Sequence, residues 1–135
     1  MPAQSRNAAC ACGQLRLACS GEPVRVSVCH CLDCQRRTGS AFGVQARYPR
    51  ADVTIEGESR TFTRTGDSGT SATFHFCPGC GSTVYWKSQA VPGFVTVAAG
   101  AFADPQFPQP RVSVYEERRH PWVAIAPDAP IERFE

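Results

Sequence analysis

Seven of the eight cysteines in this chain lie two or three positions from another cysteine, at 10 and 12, at 29, 31 and 34, and at 77 and 80, while Cys19 stands apart. No other feature restricts the fold as strongly. A disulfide between such close neighbours closes a strained ring, so the spacing argues for metal ligation rather than four disulfides. FCPGCG, residues 76–81, has the form of a zinc knuckle. Two cysteines sit on a tight turn, and glycines let backbone N–H groups approach the sulfurs and keep them charged. The competing readings are two buried thiols in a β-turn and a redox pair, and no βαβ pattern surrounds the motif to support the second. A knuckle needs two more ligands, and Cys10 and Cys12 in CACG can supply them. Cys10, Cys12, Cys77 and Cys80 then form a closed four-thiolate site that contributes folding energy directly.

CHCLDCQRRTG, residues 29–39, is one ligand short of such a site. Cys19 is a possible fourth ligand, but it reads more simply as a small buried hydrophobe. His30 is another, although it lies between two ligating cysteines and should point away from their sulfurs. With neither, zinc held by Cys29, Cys31 and Cys34 keeps an open position, the mark of a working site. Soft sulfur ligands suit an incoming thiolate. Three thiolates also weaken zinc as a Lewis acid, which favours delivery of a thiolate over polarisation of a carbonyl. His30 and Asp33 are candidate proton relays; the plainer readings are a turn-stabilising hydrogen bond and a helix-capping carboxylate. Arg36 and Arg37 can fork a substrate carboxylate, or one can be solvated and the other paired with a local acid. Trp86, Phe42, Tyr48 and Trp122 can wall a pocket or fill the core.

Between the clusters the dominant period is two. Residues 14–18, 24–28, 42–47, 52–55, 60–64, 73–76, 83–86, 94–97 and 111–115 alternate or are rich in aromatic and β-branched residues. Turn signals separate them, among them GEP at 21, TGDSG at 65 and PG at 78 and 92. The best helix candidate is Leu32 to Thr38, stopped by Gly39. This predicts an all-β domain of about eight to ten short strands with at most one short helix. Pro105, Pro108 and Pro110 predict an extended loop, and the tail from Ala124, with Pro127 and Pro130, is expected to wrap the surface. A chain of 135 residues suits one domain, drawn from residue 8 to 135 with residues 1–7 as a flexible N-terminus. A net charge of +2 gives no reason to expect nucleic acid or an anionic membrane as partner. No secretory signal and no run of about 18 apolar residues is visible. A cytoplasmic location is the expectation.

Taken together, CACG, CHCLDCQRRTGSAF, FCPGCGSTVYW, VAAGAFADP and RHPWV resemble the glutathione-dependent formaldehyde-activating enzymes, from about residue 8 to residue 123. The resemblance implies a β-tent of coiled antiparallel sheets, a fold shared with a Rab-binding chaperone. It implies a structural zinc on Cys10, Cys12, Cys77 and Cys80 and a catalytic zinc on Cys29, Cys31 and Cys34. It also implies a carbon–sulfur lyase that reversibly condenses formaldehyde, or a similar aldehyde, with glutathione to give S-hydroxymethylglutathione. Glutathione has two carboxylates, which gives Arg36 and Arg37 their candidate role. The alternative is a zinc-stabilised module that binds thiols or proteins without turnover; such a module has no need of the open three-cysteine site.

Overall fold

The structure, a computed structural model, describes residues 4–66, 68–125 and 131–135. Pro127, Pro130 and Asp67 of the TGDSG turn lie outside the described residues. The described chain is mostly β, in two sheets. The smaller sheet has the order β1 (Ser5–Ala9), β2 (Arg16–Ser20), β5 (Val53–Glu56). The larger runs β11 (Glu132–Arg133), β10 (Val112–Val114), β3 (Arg25–Cys29), β4 (Gly43–Pro49), β9 (Phe94–Ala98), β8 (Thr83–Ser88), β7 (Ser71–Phe76), β6 (Arg60–Thr65). Pairing is antiparallel except around β10, which runs parallel to both β3 and β11. Among the described residues there is a single α-helix, α1 (Leu32–Thr38), and no helix is long and apolar enough to cross a membrane.

The nine stretches with period-two character all become strands, with ends shifted by up to two residues. The proline-rich stretch after Ala103 carries no strand before Val112, as expected of residues that cannot donate to a ladder. Two strands escape a period-two reading. SRNAA gives β1, which pairs along its whole length with β2, from Ser5 opposite Ser20 to Ala9 opposite Arg16. It lies partly within the residues 1–7 expected to be a flexible N-terminus. Arg6 ties it down through ion pairs to Glu22 at 2.8 Å and Asp104 at 3.5 Å. The two-residue β11 depends on β10 for its existence and has no pattern of its own.

The core lies between the sheets. Ala8, Leu17 and Cys19 of the small sheet pack with Val26, Ala46, Tyr48, Val95 and Val97 of the large one. Burying side chains of this kind is worth roughly 1.5–3 kcal/mol each for the larger aliphatics. Cys19 is fully buried here, and burial pushes its thiol up to about 11. Alternation sends the intervening residues to the opposite face of the large sheet. In register across that face lie Cys29 opposite Gly43, Ser27 opposite Gln45, Arg25 opposite Arg47, Arg47 opposite Thr96, Thr96 opposite Trp86, and Trp86 opposite Phe74. Of these, Cys29, Gln45, Arg47, Thr96, Trp86 and Phe74 form the floor of a cleft.

Candidate metal centres and the cleft

Cys10, Cys12, Cys77 and Cys80 bring their sulfurs within 4.8 Å of one another. The separations Cys10–Cys12 at 3.6 Å and Cys12–Cys77 at 3.7 Å match the edge of a tetrahedron with a metal–sulfur distance of about 2.3 Å, which is about 3.8 Å. The four therefore suit a closed metal site. Local backbone geometry supplies donors. Leu15 N–H reaches Cys10 Sγ at 3.3 Å, and Gly79 N–H reaches Cys77 Sγ at 3.3 Å. Gln14, which the motifs did not single out, gives its amide N–H to Cys77 Sγ at 3.0 Å. The same amide exchanges hydrogen bonds with the backbone of Glu58 in both directions. Gln14 and the neighbouring N–H groups lower the Cys77 thiol, while Ser82 and backbone donors bring Cys80 down to about 5.

The second cluster contains Cys29, Cys31 and Cys34, whose sulfurs also lie within 4.8 Å of one another, and no fourth Cys, His, Asp or Glu joins them among the described residues. Cys29 ends β3 beside β4. Cys31 is the N-cap of α1, with its sulfur accepting the Cys34 N–H at 3.3 Å, and Cys34 lies buried in the first turn. The helix closes on Gly39 in the left-handed region, φ 67°, where a side chain would be disfavoured. Hydrogen bonds from Cys29 and then Cys34 hold the Cys31 thiol down to about 2, helped by the Arg64 charge. The partner sulfur of Cys31 and burial push Cys29 far up. A cation bound by the three sulfurs would release the protons that the thiols hold.

All three cysteines line a cleft of about 310 Å³ above the sheet floor. Asp33, at its edge, pairs with Arg64 of β6 at 3.3 Å. Asp33 is in the first helical turn, but the capping position belongs to Cys31. Gln45, Arg47, Thr96 and Arg118 also line the cleft. Sequence motifs did not find them, because Gln45, Arg47 and Thr96 are ordinary polar positions of alternating strands until the strand order is known, and Arg118 ends a short 3-10 turn with no motif of its own.

His30 is fully buried and does not line the cleft. Ser113 Oγ donates to Glu116, so His30 Nε2 donates to Ser113 Oγ at 3.0 Å. Burial, with Arg119 and Arg133 nearby, lowers the histidine below its ordinary pKa despite Glu116. Its backbone N–H bonds Val114 O at 3.1 Å. His30 therefore ties the cysteine loop to β10. Arg37 lies with its guanidinium carbon 4.3 Å from the Trp86 ring centre and 5.8 Å from that of Phe74. Cys29 and, more weakly, the Arg37 charge oppose the rise that Cys31 and burial impose on the Cys34 thiol, which stays above its ordinary value. Neither Arg37 nor the exposed Arg36 is part of the cleft wall. Among the aromatics, Trp86 belongs to the cleft, Tyr48 to the core, Phe42 packs on His30, and Trp122 is 73% exposed.

These features define an all-β protein with two cysteine clusters able to hold metal ions, one closed and one facing a cleft. The chain belongs to the family described as glutathione-dependent formaldehyde-activating enzyme, whose pattern matches residues 5–118. No curated protein matches it in sequence. Among solved structures it is similar in fold to a crystal structure of a Rhodobacter sphaeroides protein, at 20% identity and a TM-score of 0.54. That match covers 70% of this chain and 85% of the other.

Proposed function

We propose that the chain is a zinc-dependent carbon–sulfur lyase that reversibly condenses formaldehyde, or a similar small aldehyde, with glutathione to S-hydroxymethylglutathione. The observation that carries this reading is the three-sulfur cluster on the wall of the cleft, separate from a four-sulfur cluster that is complete without any substrate. Family membership supplies the two substrates. Four sulfurs at tetrahedral separations suit zinc as a staple, and three suit zinc with one position left for a thiol.

A zinc ion held by Cys29, Cys31 and Cys34 would supply a position at which an incoming thiol ionises near neutral pH. The protein's own groups do the rest. Arg37 and Arg64 flank the cluster and offset its negative charge. Addition to the aldehyde consumes the thiol proton and delivers one to the carbonyl oxygen, so a group that carries a proton across the cleft helps both directions. Asp33 is placed for this, since it lines the cleft beside Cys31 and Cys34. His30, held by Ser113 behind the cluster, serves to position the cysteine loop. Phe74 and Trp86 keep one wall apolar, which suits the small uncharged aldehyde.

Exchange NMR with formaldehyde and glutathione, with and without protein, tests this. Acceleration of the thiol–adduct exchange, lost in Cys31→Ala, is the expected outcome. Glutathione binding with no acceleration would replace the enzyme with a thiol-binding module.

A further inference from the structure

Three arginines line the cleft, and they differ in what already neutralises them. Arg64 is engaged with Asp33 at 3.3 Å. Arg118 is exposed, in water. Arg47 is half-buried on the floor, in the middle of β4, and makes no ion pair among the described residues. Its register partner on β3 is Arg25, a second cation, whose Nε is buried without a hydrogen-bond partner. Like charges directly opposite one another across a strand pair are destabilising. Burial and then the charge of Arg25 push Arg47 below the ordinary arginine value. Two adjacent, half-buried guanidinium groups that make no ion pair among the described residues are an arrangement that an external anion would complete.

The place of Arg47 in the cleft says which anion. Arg25 stands four residues before Cys29 on the same strand, and alternation puts both on the same face. Their Cα atoms are about 13 Å apart along a strand rising about 3.3 Å per residue, and side chains at both ends shorten the gap. Glutathione, as a tripeptide, spans roughly 10 Å when extended, with its thiol mid-chain and a carboxylate at either end. A bound thiol at Cys29, Cys31 and Cys34 therefore has a carboxylate within range of the strand floor. Between the two ends, Gln45, on the cleft wall opposite the buried Ser27, offers hydrogen bonds but no charge.

We infer that Arg47, backed by Arg25, is the carboxylate anchor of the cleft and selects thiols that carry an anionic end over small neutral thiols. This rests on the proposed thiol-binding role of the cleft, and it assigns the anchoring role to the sheet floor instead of to Arg36 and Arg37. A planar guanidinium held on a strand matches a carboxylate in two hydrogen bonds, which lysine cannot reproduce.

Calorimetric titration of the metal-loaded protein with glutathione and with glutathione diethyl ester tests the assignment. Wild type should bind glutathione at least about tenfold more tightly than the diester, the loss expected for one charge-assisted contact. Arg47→Met should bind both equally weakly, Arg47→Lys should fall between, and Arg50→Gln, outside the cleft, should match wild type. Melting temperature and metal content of Arg47→Met should be no lower than those of wild type, because the substitution removes one of two like charges directly opposite one another. Equal affinity of wild type for glutathione and its diester overturns the inference, as does an Arg47→Met protein that still prefers glutathione. If adduct exchange is accelerated but is indifferent to Arg47, the anchor is wrong and the enzyme reading survives. If Arg47 governs binding while exchange is not accelerated, the anchor stands and the enzyme reading fails.

Discussion

The two cysteine clusters have the same chemistry and opposite construction. Cys10, Cys12, Cys77 and Cys80 lie on two turns, and Cys12 and Cys80 are exposed. The two buried sulfurs of the set, Cys10 and Cys77, take donors from Leu15, Gln14 and Gly79. Cys29, Cys31 and Cys34 are mostly buried, have fewer N–H donors, and take cations, Arg37 and Arg64, as neighbours instead. A closed set of thiolates needs hydrogen bonds to spread its charge, and its exposure matters little because nothing has to enter. An open set needs a dry, cationic wall that leaves one direction free. The contrast is the physical basis for the proposed division into a staple and a working site.

The largest expected effect breaks this comparison most directly. Cys77→Ala removes a fully buried sulfur from the closed cluster. Structural zinc is worth roughly 10–16 kcal/mol, as much as a whole domain's stability, so circular dichroism should show an unfolded chain. Cys31→Ala should keep its cooperative melt and lose thiol-dependent exchange. Unfolding of both variants alike would abolish the distinction. Metal content is the next measurement. Wild type should carry two zinc ions per chain, and a chelator should remove one quickly without lowering the melting temperature and the second only with unfolding; release in a single phase would sink the idea.

Two glycines sharpen the comparison at smaller scale. Gly57 has φ +99°, and a Cβ there would fall 2.0 Å from the backbone oxygen of Gln14, the residue that donates to Cys77. Gly57→Ala should cost at least about 3 kcal/mol in urea denaturation, since strain and a backbone clash add. At Gly43 a Cβ would meet Arg37 Nη2 at 2.8 Å, the tip of a side chain, and Cys34 Cβ at 3.5 Å. Gly43→Ala should cost about 1 kcal/mol and weaken metal retention in the open cluster alone. An effect of similar size concerns the support behind that cluster. Burial alone would raise the Glu116 carboxyl, but the Ser113 hydroxyl, Arg133, His30 and Arg119 outweigh it and hold it low. A carboxyl lower in the folded than in the unfolded state gives stability that is present above about pH 4.5 and lost as pH falls through the lower folded value. Glu116→Gln should therefore cost about 1–2 kcal/mol at pH 7 and flatten the acid limb of the stability curve. An unchanged acid limb would remove Glu116 from the support.

Much of this was readable without coordinates. Cysteine spacing paired residues 10 and 12 with 77 and 80, because a closed thiolate site needs four sulfurs and only one other cluster offered two. Alternation marked nine strands, since a half-buried strand repeats at the pleat period. Leu32 to Thr38 was legible as a helix because glycine at 39 can take the left-handed stop. Strand β1 was not, as SRNAA has small and polar residues whose pairing comes from β2 and whose anchor, Arg6 to Glu22 and Asp104, is remote in sequence. The cleft was not readable either. Arg36 and Arg37 stood beside the motif, so proximity along the chain nominated them. Packing under the helix turned Arg37 onto Trp86 and left Arg36 outside the wall.

Sequence by itself determined which sulfurs can share an ion, because ligand spacing is a property of a few consecutive residues. Tertiary structure alone decided which side chains face the open cluster. The order β3-β4-β9-β8-β7-β6 lays Gln45, Arg47, Thr96 and Trp86 across one face, and strand order is set by long-range pairing and core burial, which no local pattern encodes.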